Sequence, residues 1–332
     1  MYFRVLAISG SLIGGLLEFG ALQRARIQLG GTHDRPEFFP PQRLDPPRLP
    51  PVGPRQSVGS ERKSQLLKLL QLAVEFIRAA WVIRRQFPRL ARAERLREIQ
   101  QWAAKLVRIL QVEVDCTQPV PVDGAVLCVS NHLSWLDILV LQSLMPGVFV
   151  AKAQVRRWPV IGFMARACAT IFVQRSSARS THAMVDSAAA ALQQGYTVLA
   201  FPEGTSSDGA DLAPFHANIF EGAVRAQTRV QPVTLRYVNA QTGAPSEAAL
   251  FTGDMTLLTS LRNVIRTSNI RVHVHMGASL PVEGQTRKSL CHQAHQAIRG
   301  QLLAHHDPEL LCSRTAPGRS RVDCHAAVMS QL

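Results

Sequence analysis

His132 and Asp137 are of the types, and at the spacing, that could move a proton. A carboxylate held on one imidazole nitrogen fixes the tautomer and steadies the imidazolium. The other nitrogen is then free to take a proton from a hydroxyl. The surrounding elements must bring the two groups together. Val126-Leu127-Cys128-Val129 is an apolar run that reads as a buried strand, and it breaks at Ser130-Asn131-His132. Ser134-Trp135-Leu136-Asp137 has the Ser-x-x-Asp form of a helix start, with Ser134 as N-cap and Asp137 at the third helical position. His132 is therefore expected in a tight turn between strand and helix, with the carboxylate one turn further on. Taken alone, His-x4-Asp more often marks only a capped helix and a polar turn.

Two further segments shift that balance. Thr197-Val198-Leu199-Ala200-Phe201 reads as a second buried strand, with Pro202-Glu203-Gly204-Thr205 at its end. Ala169-Thr170-Ile171-Phe172-Val173 reads as a third and ends in Gln174-Arg175. All three place polar residues just after a strand's carboxyl end, where ligands bind in open α/β sheets. In order and spacing, four blocks stand out: Asn131-His132 with Asp137; Ile171-Phe172-Val173 with Arg175; Phe201 to Thr205; and Val230-Gln231-Pro232-Val233. Together they resemble the four blocks of the glycerolipid acyltransferases, typified by 1-acylglycerol-3-phosphate acyltransferase, over roughly residues 100–280.

The resemblance implies transfer of a fatty acyl group from an acyl thioester to the hydroxyl of a lysolipid. The first acceptor it suggests is 1-acylglycerol-3-phosphate, giving phosphatidic acid in phospholipid biosynthesis. It implies catalytic roles for His132 and Asp137 and substrate binding by Arg175, Glu203, Gly204 and Thr205. Glu203 and Gly204 would hold the glycerol backbone and Arg175 the acceptor phosphate, while Pro232 would shape the acyl channel. The chain departs from the family in two places. Where Glu-Gly-Thr usually continues with Arg, Ser206-Ser207-Asp208 follow. Where Phe-Lys-x-Gly is usual, Phe215-His216-Ala217-Asn218 stand. These departures leave room for another head group, and lyso-ornithine lipid is the alternative acceptor. A non-catalytic basic membrane-binding protein is the second alternative, against which the intact His132, Asp137 and Glu203 count.

The residues support a direct route. There is no Gly-x-Ser-x-Gly elbow and no Cys set beside a base. A thiolate is a good leaving group, so no covalent enzyme intermediate is required. Backbone N–H groups around Gly204-Thr205 are the candidate oxyanion donors, because Gly permits close approach. No cofactor is expected beyond acyl-CoA or acyl-carrier protein as co-substrate. His273 and His275 alternate on one strand, His292 and His295 lie one helical turn apart, and His305-His306-Asp307 form a polar end. A zinc site needs four convergent ligands, and no metal is expected from these.

The 332 residues carry a net charge of +14 and are 46% hydrophobic, with a pI near 10.5. That charge calls for an anionic partner. No zinc finger, RNA-binding aromatic motif or basic coiled coil appears, so anionic lipid is favoured over nucleic acid. The six Cys show no Cys-x-x-Cys pairing and several sit in apolar runs, as reduced core thiols do. The expected location is the cytoplasmic face of the inner membrane.

Residues 1–60 read as a Pro-rich, poorly structured extension, with a signal peptide left open for the apolar run from Val5 to Leu17. Residues 61–111 read as amphipathic, membrane-associated helices. Within 64–85, Lys68, Gln71, Glu75 and Arg78 form one narrow polar stripe beside a broad apolar face. Charges at a bilayer centre cost roughly 2.5–3.5 kcal/mol each. A helix lying in the membrane interface therefore fits best, with a core helix and a true span as the competing readings. Residues 112–312 read as the acyltransferase domain and 313–332 as a flexible tail. Strands and helices alternate through that domain. The fold class expected is α/β, a layered and largely parallel sheet flanked by helices and preceded by the interfacial helix.

Overall fold

The computed structural model describes residues 58–116, 118, 124–174 and 177–306. The extension read at 1–60, apart from 58–60, and the tail read at 313–332 lie outside the described residues. Arg175 lies outside them too.

Among the described residues seven strands form one sheet. They are β1 (Val112–Asp115), β2 (Leu127–Ser130), β3 (Val148–Lys152), β4 (Ile171–Val173), β5 (Val198–Ala200), β6 (Val230–Asn239) and β7 (Ile270–Met276). Their spatial order is β1-β7-β6-β2-β5-β3-β4. Every neighbouring pair is parallel except β6 with β7, which are antiparallel. The site strand β2 is thus central, with β6 on one side and β5 on the other.

Eight α-helices are described: α1 (Val58–Arg85), α2 (Arg92–Ile109), α3 (Leu136–Leu144), α4 (Pro159–Ala167), α5 (Ala178–Gln193), α6 (Asn218–Ala226), α7 (Leu257–Arg266) and α8 (Arg287–His306). The sheet separates two cores, and the alternation of side chains along each strand decides which core a residue joins. Cys128, Leu199, Val233 and Leu235 face the core shared with α2, α3 and α7. Leu127, Val129, Val198 and Ala200 face the core shared with α5, α6 and α8. A strand covered on both faces must be apolar throughout, which is why β2 reads as a continuous apolar run. Gly195, at φ +84, follows the last turn of α5 and ends it with a left-handed residue.

Helix α1 sits the opposite way from an ordinary surface helix. Lys68, Leu72, Glu75, Ala79 and Val82 form its buried face. The Lys68 ammonium donates to the Ile265 carbonyl at the end of α7 (3.3 Å), and burial lowers its pKa. Glu75 accepts from Arg78 (3.0 Å) and pairs with Lys105 of α2. The broad apolar face, including Leu67, Leu70, Val74, Ile77 and Trp81, remains exposed. Among the described residues no helix is long and apolar enough to cross a membrane.

Candidate functional site

The site begins where β2 stops. Strand β6 continues past Ser130, whose register partner is Val233. The backbone of Leu235 would therefore lack a partner on that side. Asn131 supplies one: its amide donates to the Leu235 carbonyl (2.9 Å), and its carbonyl oxygen accepts from the Leu235 N–H (2.8 Å). The side chain stands in for a peptide group and extends the ladder by one rung. This fixes the chain as it turns out of the sheet toward His132.

His132 is held through its backbone as well as its ring. Its N–H donates to Glu203 Oε1 (2.7 Å), and its carbonyl accepts from the Ser207 N–H (2.8 Å). Its ring stacks on Phe201, at the end of β5. Nδ1 lies 2.8 Å from Asp137 Oδ2. A carboxylate only accepts, so Nδ1 is the donor, and in the neutral tautomer that fits this contact Nε2 holds the lone pair. The His132 side chain is 20% exposed and that of Asp137 is fully buried.

Asp137 is therefore both a cap and a partner. Its Oδ2 also accepts from the N–H groups of Leu133 (2.7 Å) and Ser134 (2.8 Å), while Oδ1 accepts from the Tyr237 hydroxyl (2.8 Å). These donors replace the water lost on burial. The expected N-cap moves by one residue. Trp135 precedes the first helical residue, Leu136, and the Ser134 hydroxyl accepts from the Leu136 N–H (3.3 Å). The reciprocal capping survives because Asp137 reaches back to the Ser134 N–H. Trp135 is anchored separately, its indole N–H donating to Ser260 of α7 (2.9 Å).

The loop after β5 wraps the turn. Glu203 is buried beneath it, and its second oxygen accepts from the Ala213 N–H (3.1 Å). Burial pushes its pKa up, against the pull of the two backbone donors and of His132. Gly204 takes φ +71 and donates its N–H to the Phe201 carbonyl (2.9 Å). That N–H is therefore committed, which removes Gly204 from the expected pair of oxyanion donors. Thr205 is exposed on the same loop. The Ser206 hydroxyl is tied to the Phe251 carbonyl, and the Phe251 N–H donates to Leu133 O (2.9 Å). His132, Asp137, Glu203, Gly204 and Thr205 are thus assembled around one turn. Strand β4, which precedes Arg175, is three strands away from β2.

Tyr237 carries the site although no motif contains it, and Asn131 and Phe201, which stand in the motif blocks, have structural roles that the blocks do not announce. Tyr237 and Phe201 had a readable signal: an aromatic residue at the end of an apolar strand, with a hydroxyl in the first case. Among the described residues, His273 and His295 have partners of their own. His273, on β7, lies 2.8 Å from Asp115 of the edge strand β1, and His295 packs edge-on against Phe215. Among the described residues, no group of three or more His, Cys, Asp or Glu side chains converges as a metal site.

Residues 111–236 match the family model described as Acyltransferase. A lyso-ornithine lipid O-acyltransferase of Pseudomonas aeruginosa is 36% identical over 242 residues, 72% of this chain and 91% of that protein. A 1-acyl-sn-glycerol-3-phosphate acyltransferase of Neisseria meningitidis serogroup B is 30% identical over 210 residues, 62% of this chain and 80% of that protein. The crystal structure of the 1-acyl-sn-glycerophosphate acyltransferase PlsC from Thermotoga maritima shares the fold. The TM-score is 0.56 at 20% identity, covering 75% of this chain and 97% of that one.

Proposed function

The chain belongs to the acyltransferase family, and from that premise we propose that it moves a fatty acyl group from an acyl thioester to a lysolipid hydroxyl, with His132 as general base. The observation that carries this is the 2.8 Å contact between His132 Nδ1 and the buried Asp137 carboxylate. Nε2 takes the proton from the acceptor hydroxyl as its oxygen attacks the thioester carbonyl. The tetrahedral intermediate collapses with loss of the thiolate, which recovers the proton from His132. The products are an ester and a free thiol. The Thr205 N–H, on the loop tied to the His132 carbonyl, is the backbone donor we assign to the oxyanion. Acyl-CoA or acyl-carrier protein supplies the thioester.

The acceptor head group divides the reading. 1-Acylglycerol-3-phosphate needs cations for a dianionic phosphate, and Arg175 is the residue the motif assigns to it. A specific observation favours the second acceptor, a lyso-ornithine lipid. Ser206 stands where a second phosphate ligand is usual, and its hydroxyl is bound to the Phe251 carbonyl. The Pseudomonas aeruginosa relative carries that acceptor in its name.

We also assign α1 to the membrane surface, lying in plane. Its exposed apolar side chains each gain about 1.5–3 kcal/mol when taken out of water. Arg84 and Arg85 close the helix with charge for anionic head groups. Trp158 and Val160, exposed at the start of α4, follow Arg156 and Arg157 in the same pattern.

The test is a panel of lysolipids in mixed micelles with labelled acyl-CoA and acyl-carrier protein. Wild-type protein forms the ester, and His132→Ala loses about 10²–10⁴ of the rate. A wild type that acylates no lysolipid, or a His132→Ala protein with more than about a tenth of the rate, overturns the reading.

A further inference from the structure

We propose that Tyr237 is a positioning residue for the proton transfer, holding Asp137 so that the carboxylate's other oxygen meets His132. The inference rests on the reading of His132 as general base. It starts from the sheet. Strand β6 outruns β2, and its alternation places Val233, Leu235 and Tyr237 on the face that packs against α3. Leu235 is clamped by Asn131 through both of its backbone groups. Two residues further on, the same strand presents the Tyr237 hydroxyl to Asp137 Oδ1 at 2.8 Å. One strand therefore fixes both ends of the turn that carries His132.

The two oxygens of Asp137 have different surroundings. Oδ2 meets Leu133 N, Ser134 N and His132 Nδ1, whereas Oδ1 meets the Tyr237 hydroxyl. Asp137 is fully buried and Tyr237 is 3% exposed, so bulk water does not reach the contact. A carboxylate that lost this donor would keep one oxygen unsatisfied or turn about its Cβ–Cγ bond. Turning carries Oδ2 off the Nδ1 axis and frees the imidazole to rotate. Burial and the neighbouring Asp137 hold the phenol well above its ordinary pKa, so it stays a donor. The plain alternative is a core tyrosine whose hydroxyl merely needs a partner.

Steady-state rates separate the two. Wild type, Tyr237→Phe, Asp137→Asn, the double variant and His132→Ala are compared in the same micelles. Tyr237→Phe is expected to lower kcat about ten-fold with KM within about two-fold. The double variant is expected to be no slower than Asp137→Asn alone, because the tyrosine acts through that carboxylate. The downfield imidazole N–H resonance of His132 supplies a second readout. It moves further downfield in Tyr237→Phe, and moves back in a protein carrying 3-fluorotyrosine at 237, a stronger donor of nearly the same shape. That fluorinated protein carries the test if Tyr237→Phe folds poorly. A kcat within about two-fold of wild type, a loss that persists in the Asp137→Asn background, or a resonance unmoved by fluorination overturns the proposal. Retention of rate by His132→Ala overturns the general-base reading instead.

Discussion

The ring of Phe201 lies nearly parallel to the imidazole of His132, with centroids 4.0 Å apart and planes 10° from each other. Phe201 in turn stacks on Phe149, the second residue of β3 (5.7 Å). The imidazole is thus fixed on its edge by Asp137 and on its face by a ring from the neighbouring strand. Such ring contacts are worth about 0.5–1.5 kcal/mol beyond the area they bury. Phe201→Leu keeps most of the volume and removes the face. We expect kcat to fall about three- to ten-fold, the rate equivalent of that energy, with the unfolding midpoint little changed. An unchanged kcat in the folded variant would deny the ring any role in holding His132.

Glu203 is placed to brace the turn, since its two oxygens accept from His132 N and Ala213 N. Glu203→Gln sets an amide N–H₂ against one of those backbone donors. A buried group left unsatisfied costs about 1–3 kcal/mol, so the variant should melt lower and lose kcat. The resemblance assigns Glu203 to the glycerol backbone of the acceptor, which predicts a different result: a raised acceptor KM with unfolding unaltered. Calorimetry and kinetics on the same preparation distinguish the two.

The alkaline limit of stability should report Tyr237. Its phenol is held well above the ordinary value by burial and by Asp137. The folded chain therefore keeps a proton that the unfolded chain releases above pH about 10. The contribution of this group is fully present below that pH and is lost as pH rises toward the raised value. The chain has three tyrosines. In a phenolate absorbance titration, the part of the signal that Tyr237→Phe removes should appear only on unfolding. Appearance of that part of the signal while the chain is still folded contradicts the burial of the hydroxyl.

Much of this arrangement was legible in the sequence, because it is written in local periods. The apolar run before His132, the Ser-x-x-Asp start of α3 and the polar stripe of α1 each fall within one element. What was not legible depends on pairing between distant segments. Nothing near Asp137 announces Tyr237, 100 residues away, and nothing near Asn131 announces the Leu235 backbone. The antiparallel turn of β7 against β6 is likewise a tertiary choice. The composition of α1 showed a broad apolar face but not its direction. Lys68 and Glu75 settle that direction, because Lys68 finds a partner at the end of α7 and Glu75 one on α2, which solvent-facing leucines do not need. Local spacing also could not show that the Gly204 N–H closes its own turn on the Phe201 carbonyl.

The orientation of α1 yields a membrane prediction. Replacing Leu67, Leu70 and Ile77 by Ser removes exposed apolar surface and leaves the buried face intact. Binding to anionic vesicles should drop by well over ten-fold, since even one such side chain is worth about 1.5–3 kcal/mol, while the melting temperature stays within a few degrees. Leu72→Ser strikes the buried face and should do the reverse, lowering stability first. Residual binding should weaken with salt through the Arg84 and Arg85 end of the helix. Vesicle sedimentation that is indifferent to the triple change would remove α1 from the interface.

The acceptor is tested at Ser206. Its hydroxyl donates to the Phe251 carbonyl, and the Phe251 N–H donates to Leu133 O beside His132. This residue therefore links the loop after β5 to the strand-to-helix turn and offers no charge to a head group. Ser206→Arg breaks that link and adds a cation where a second phosphate contact is expected. A hydrogen bond to a charged group is worth about 1.5–3 kcal/mol, so KM for 1-acylglycerol-3-phosphate should fall about ten-fold. Ser206→Ala removes the link without adding charge and isolates that cost. Use of lyso-ornithine lipid should not gain from the arginine, because its head group carries an ammonium as well as a carboxylate. The wild type should prefer the aminolipid in direct competition, and Ser206→Arg should shift the ratio toward the phosphate. A ratio that stays put in Ser206→Arg, with Ser206→Ala active, would place the head group away from this loop.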